Sequence, residues 1–197
     1  MAQRYDTRIR QQQIIQATLE IISRKGVSGL TTAEIARQVG IAEATIFRHF
    51  ATKEEILAAA ICHIRDSLLS WSRDRIAKPG SSMEKLGDIL RFHLELFERN
   101  SSIPRVIFSE EVHLQNERLR CIMQDTIGEF MELISMLIRE GMEKGEFSPS
   151  IDAQMVATVY LGLVQVSVFK WSLNNCRPSL TAKYERIINF LSSILKK

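Results

Sequence analysis

Apolar positions recur at helical spacing through most of this chain and runs of β-branched residues are short, so an all-α protein is expected, with about nine helices. A first helix is predicted over about 7–25. Ile14-Ile15, Thr18-Leu19 and Ile21-Ile22 turn inward, Arg24 and Lys25 complement its C-terminal dipole, and Gly26 ends it. Thr31 and Glu34 have capping-box spacing, in which a hydroxyl and a carboxylate each accept from the other residue's free amide. A second helix therefore starts just after Thr31, with Ile35, Ala36 and Val39 as its apolar stripe, and Gly40 follows where the chain must turn sharply. A short third helix fits 43–49, with Ile46, Phe47 and Phe50 as its larger apolar positions.

Lys53-Glu54-Glu55 opens a fourth helix reaching about residue 75, whose apolar face carries Ile56, Leu57, Ala60, Ile61, Ile64, Leu68 and Trp71. The run KPGSS at 78–82 is the strongest linker signal in the chain. Ser81 and Glu84 repeat the capping-box spacing and start a fifth helix to residue 99. Asn100-Ser101-Ser102 breaks it, and Pro104 suits the first turn of a short sixth helix ending near 111. A long seventh helix is predicted over about 116–144 and a ninth over about 179–195.

The eighth helix, opened by Asp152, differs from the rest. MVATVYLGLVQVSVFKW is apolar on nearly all sides, and such a helix must be covered from every direction. Gln165, Ser167 and Lys170 interrupt it too much for a membrane span, and no apolar run approaches the roughly 18 residues a span needs. Its own domain on one side and a second copy of the chain on the other is the natural cover. A homodimer seam is expected here and on the ninth helix, at Gly162, Val166, Ile188 and Leu191.

With 197 residues, 45% of them hydrophobic, the chain can bury a substantial core. Its net charge of +3 is too small to argue for nucleic acid alone. The distribution says more: residues 1–53 hold eight Lys/Arg against four Asp/Glu, a net of +4, so the remainder nets −1. Positive charge thus collects where a phosphate backbone would be met. Cys62, Cys121 and Cys176 lie far apart without metal-ligand spacing, which suits reduced thiols, and MAQRYDTRIRQQQ does not read as a signal peptide. A soluble cytoplasmic protein is expected.

Two short helices joined through a glycine turn, at about 31–50, allow two readings: an ordinary hairpin in a bundle core, or a helix-turn-helix whose second helix enters a DNA major groove. IIQATLEIISRKG, LTTAEIARQVGI and ATIFRHFATKEEIL bear on the choice. Together they resemble the N-terminal domain of the TetR family of bacterial transcriptional repressors, through Ala17, Ile21, Gly26, Thr31, Ile35-Ala36, Gly40, Thr45, Phe47, His49-Phe50 and Lys53-Glu54. The resemblance covers the first third of the chain; the rest agrees in length and helical content. It implies a DNA-binding domain over 8–68 and an effector-binding and dimerisation domain over 69–197. Two departures stand out. Phe47 replaces the family's usual tyrosine, removing a hydroxyl that can bond a phosphate, and Ala42 replaces a serine that often caps the recognition helix.

Ala44, Thr45 and Arg48 are placed to face outward from the recognition helix while Ile46 and Phe50 hold it to the domain. The small residues permit close approach to base edges, and Arg48 can donate to a guanine or a phosphate. By resemblance, Thr32, Phe47, His49 and Lys53 lie along the DNA backbone. His49, His63, His93 and His113 show no metal or catalytic pairing, so no enzyme, metal or cofactor is expected. His93, on the apolar stripe of its helix, is read first as a satisfied core histidine. With Tyr160 and Gln165 it could otherwise meet a small, mostly apolar effector, since buried polar groups need partners. The expectation is a homodimeric repressor that binds a palindromic operator in double-stranded DNA and is released by such an effector. The alternatives are a DNA-binding regulator without an effector, and a helical carrier or sensor of apolar small molecules.

Overall fold

The computed structural model describes residues 2–114 and 116–196, with side chains from Thr7 onward, so the charges counted at Arg4 and Asp6 lie outside the described side chains. The described residues form α1 (Ala2–Lys25), α2 (Thr32–Val39), α3 (Glu43–Phe47), α4 (Lys53–Ala77), α5 (Ser82–Arg99), α6 (Ser102–Ile107), α7 (Glu110–His113), α8 (Glu117–Glu143), α9 (Ala153–Leu173) and α10 (Tyr184–Leu195), with no strand among them. The all-α expectation holds, with one helix more than predicted. The short sixth helix is split at Phe108 and Ser109, where Ser109 takes an extended backbone (φ −81°, ψ 128°). The start of the ninth predicted helix is a separate 3₁₀ turn, Thr181–Lys183.

The chain divides into two compact units. The first holds residues up to Asp66 together with Ser102–Gln124. Ile14, Ile21, Ile22, Ile35, Ile46 and Ile56 are its fully buried centre, and Val106, Val112, Leu119 and Met123 close the same cluster. The expected domain boundary at 68/69 lies within α4; the two compact units divide in the same helix, after Asp66, and residues 102–124 pack with the first unit. The apolar faces of α6, α7 and the start of α8 are buried with α1, a contact far apart in sequence that local periodicity does not reveal. The capping box expected at Thr31 is half made. Thr31 Oγ1 accepts from the Glu34 amide at 3.2 Å, but the Glu34 carboxylate turns to Lys25 Nζ at 2.7 Å, tying α2 to the end of α1. That hydrogen bond from Lys25 holds the Glu34 carboxyl below the usual carboxylate range. A cation outcompetes a neutral amide for the same oxygen.

The second unit holds Ser67–Ser101 and the chain from Asp125. Its capping box is complete: Ser81 accepts from the Glu84 amide at 3.2 Å, and Glu84 accepts from the Ser81 amide at 2.9 Å. The buried stripe of α5, including Leu86, Ile89, Leu90 and Leu94, meets α10. Gly141, near the end of α8, is covered by the Phe147 ring, which would have to move to admit a Cβ there. Asp152 caps α9 by accepting from the Gln154 and Met155 amides.

His93 lies in the middle of this unit, 2% exposed. Its ring stacks on Phe97 at 5.0 Å, meets Phe130 edge-on at 4.9 Å, and places Nδ1 3.5 Å from the Tyr160 hydroxyl. Burial pushes its pKa down to about 3 and pushes the Tyr160 phenol up, so both are neutral in the folded protein. The unfolded histidine takes a proton below about 6.5 while the folded one does not. Stability from this site is therefore complete above pH 6.5 and is lost as pH falls from there towards 3. Between pH 7 and 5 this costs about 2 kcal/mol, lowering the thermal midpoint by roughly 4–8 °C. In thermal melts at the two pH values, His93→Phe should show a correspondingly smaller drop, whatever its stability at pH 7.

Candidate nucleic-acid interface

α2 ends at Gly40, whose backbone (φ 75°, ψ 38°) lies in the left-handed region that a side chain would strain. The Gly40 and Ile41 amides both close on the Ala36 carbonyl, at 2.9 and 3.0 Å, and reverse the chain into α3. α3 is only five residues long and its N-cap, Ala42, makes no side-chain hydrogen bond. Beyond Phe47 the turn continues, with the His49 and Phe50 amides donating to the Ile46 carbonyl at 2.8 and 3.0 Å. Ile46 is fully buried and Phe50 is 9% exposed; these two residues moor the helix to the first unit.

The outer face carries Ala44 and Arg48, both exposed, and Thr45, partly exposed. Phe47 is 50% exposed, so it belongs to this face and not to the core. Thr32, His49 and Lys53 flank it, each half-buried. Lys53 is the first residue of α4, whose start is capped by Thr52 accepting from the Glu55 amide at 3.2 Å. The His49 carbonyl accepts from the Gln11 side chain at 3.5 Å, while its Nδ1 is buried without a hydrogen-bond partner. One participant was missed from the sequence: the Thr32 hydroxyl donates to the Glu43 carboxylate. The two are eleven positions apart on different helices, and only the turn at Gly40 brings them together. Glu43 opens α3, where an acid favours the helix dipole, and it also places a negative charge beside a hydroxyl expected to meet phosphate.

Residues 14–60 match the family described as bacterial regulatory proteins, tetR family, and residues 65–193 match the YsiA-like protein, C-terminal region. The chain belongs to the TetR family of transcriptional regulators. It is 28% identical over 193 residues to the nucleoid occlusion factor SlmA of Vibrio cholerae, covering 95% of this chain and 96% of that one. It is 23% identical over 181 residues to the fatty acid metabolism regulator protein of Bacillus subtilis, covering 92% and 93%. The crystal structure of FadR from Bacillus subtilis in complex with stearoyl-CoA superposes with a TM-score of 0.82 at 23% identity, over 93% of this chain and 98% of that one. FadR from Bacillus halodurans gives 0.83 at 24%, over 92% and 94%. These relatives are regulators and not enzymes, and family membership sets aside the reading as a carrier with an incidental basic N-terminus.

The TetR-family second unit places the other expected residues less uniformly. On α9, Ala153, Val156, Ala157, Tyr160, Val164, Val168 and Trp171 are buried in the unit. A second apolar stripe faces out: Met155, Val166, Phe169 and Leu173 are 59%, 60%, 45% and 67% exposed, with Gly162 among them and open space where its Cβ would be. Phe190 on α10 adds to it. Ile188 and Leu191, expected in the same seam, are instead buried in the chain's own core, where Ile188 and Tyr184 close over Gly87. By length and composition alone α9 is apolar enough to cross a membrane, a property it shares with core helices of globular proteins, and a third of its most apolar window is buried. Of the three expected effector residues, His93 and Tyr160 meet in the core. Gln165 is part-exposed, five residues from Tyr160 and so about 140° around α9.

Two groups of substitutions should separate on DNA. Lys53→Ala should weaken binding to all sequences alike and lower the slope of log affinity against log salt by about 1. Thr45→Ala should change preference at one position per half-site. Phe47→Tyr, which adds a hydroxyl donor to the exposed face of α3, should tighten binding by about 1 kcal/mol, roughly fivefold. Fluorescence anisotropy on a selected and a random duplex, at several salt concentrations, reads all three.

Proposed function

We propose that this TetR-family regulator is a homodimeric repressor that grips a palindromic operator and releases it when a small, mostly apolar molecule binds its second unit. The observation that carries the DNA half is the outward face of α3, with Ala44, Thr45, Phe47 and Arg48 presented over a buried Ile46. Thr32, His49 and Lys53 take the role of phosphate contacts, which fix register, while Ala44, Thr45 and Arg48 read base edges. The dimer half is supported by the second apolar stripe of α9. A row of large apolar side chains at 155, 166, 169 and 173 is costly in water, and an isologous partner covers it. Gly162 lets the two copies of α9 approach closely. As a DNA-binding regulator of this family, the protein works in the cytoplasm.

For the effector, the similarity to a regulator crystallised with stearoyl-CoA supports an apolar acyl-type ligand, seated against the His93–Tyr160 pair. Gln165, on the other side of α9, is left out of that set. Such a ligand acts only through its differential affinity for the DNA-bound and released geometries, and 1–3 kcal/mol, roughly 5–150-fold in operator affinity, is an ordinary coupling. α4 and α8, each running unbroken across the division between the units, are the covalent routes for it. A second reading, a DNA-binding regulator without an effector, is favoured by the aromatic packing on every recorded side of His93 and by the similarity to SlmA.

Sequencing DNA captured by the protein should return inverted half-sites, with recognition helices roughly 34–36 Å apart or somewhat more. Scrambling one half-site should abolish tight binding. Light scattering should give twice the chain mass, and a mass near 22.5 kDa at micromolar concentration would overturn the dimer. Val166→Glu should shift the protein towards monomer and reduce operator affinity with it. Titrating acyl-CoA esters of increasing chain length into the protein–operator complex separates the two regulator readings: release supports the effector, and tight binding without release rejects it.

A further inference from the structure

α3 carries one acid, Glu43, its first residue. The side chain is exposed and shares the outward face of the helix with Ala44, Phe47 and Arg48. Its partner is the hydroxyl of Thr32, the first residue of α2, and it forms no ion pair among the described residues. The acid of the preceding helix is used differently: Glu34 is bound to Lys25 at 2.7 Å and ties α2 to α1. A carboxylate on a face that approaches DNA is repelled by phosphate at every sequence alike, so only a contact made at the right sequence offsets it. The Thr32 hydroxyl has a single proton, and while Glu43 holds it none is available for a phosphate oxygen. The helix dipole accounts for an acid at the start of α3, but not for its bond to a residue expected on the DNA backbone.

We propose that Glu43 reads a cytosine in each half-site and, in doing so, gives up the Thr32 hydroxyl to the DNA backbone. The inference rests on the DNA-binding reading of α3. The residues that open a recognition helix are those that reach base edges in the major groove. There guanine offers two acceptors, thymine an acceptor and a methyl group, and adenine a donor beside an acceptor. Cytosine alone offers a donor, its N4 amino group, with no acceptor of its own. A carboxylate only accepts, so cytosine pairs it and the other bases repel it or leave it unpaired. With cytosine present, the carboxylate turns to the amino group and the hydroxyl is freed for a phosphate oxygen. With another base it keeps the hydroxyl, and the backbone contact at Thr32 is not made. A contact that fixes register and a contact that reads sequence are thereby coupled through one hydrogen bond, made across the Gly40 turn.

The test begins with selection of bound duplexes from a random library by the native chain, Glu43→Gln and Glu43→Ala. The native chain should return cytosine at one position of each half-site. Glu43→Gln, whose amide both donates and accepts, should return adenine there, and Glu43→Ala no preference, with the other positions unchanged. In anisotropy titrations the native chain should favour its selected duplex about tenfold over one with thymine at that position, and Glu43→Ala by less than about twofold. Thr32→Val then reads the coupling. It should weaken native binding to the cytosine duplex several-fold and to the thymine duplex hardly at all, whereas in the Glu43→Ala background the loss should be the same on both. A carboxylate that only braces α3 against α2 would lower affinity in both Glu43 variants without changing the preferred base, and that outcome overturns the proposal. So does an equal loss on both duplexes when Thr32→Val is made in the native chain. A native chain that selects no duplex overturns the operator-binding reading with it, while a selected site whose bases are indifferent to Glu43 overturns this inference alone.

Discussion

The recognition helix cannot hold itself. Five residues make barely more than one turn, far below the length at which a helix is stable in water, and α3 lacks even a capping side chain at Ala42. What fixes it is the burial of Ile46 and Phe50 in the same core as Ile14, Ile35 and Ile56. The polar face is presented because the opposite face is moored, and the αL turn at Gly40 sets the angle between the two helices. The ion pair from Lys25 to Glu34 secures α2 against α1 from outside. An exposed pair of this kind contributes little by itself, and its effect here is to orient more than to stabilise.

The second unit answers a different constraint. α9 has more apolar surface than one unit can cover, and its two stripes divide the work. Tyr160, Val164 and Val168 fill the interior around His93, while Val166, Phe169 and Leu173 remain outside. The interior is unusual in placing a histidine and a tyrosine together and keeping both neutral by burial alone.

Much of the helix-turn-helix geometry behind the candidate DNA face was legible in the chain. Thr31, Gly40, Ile46 and Phe50 are local signals, since a cap, a left-handed turn and an apolar stripe depend on neighbours within a few residues. The apolar character of α9 was legible too, but as a helix apolar on nearly all sides; that Met155, Gly162, Val166, Phe169 and Leu173 share an outward stripe came from the structure. Ile188 and Leu191 pack within their own unit, since an amphipathic helix shows that it has an apolar face but not which neighbour that face meets. Phe47 posed the same ambiguity within α3, resolved only by its half exposure.

By itself, then, the sequence determined the all-α class and most of the helix boundaries, because these follow from spacing along one helix and from the residues at a turn. The choice of a helix-turn-helix over an ordinary hairpin rested on the family resemblance. Only the tertiary structure decided that residues 102–124 close the core of the first unit, that Glu43 takes the Thr32 hydroxyl, and that His93 faces Tyr160. Each of these joins residues distant in the chain. Such pairings are selected by burying apolar area and satisfying polar groups across the whole molecule, which no local pattern encodes.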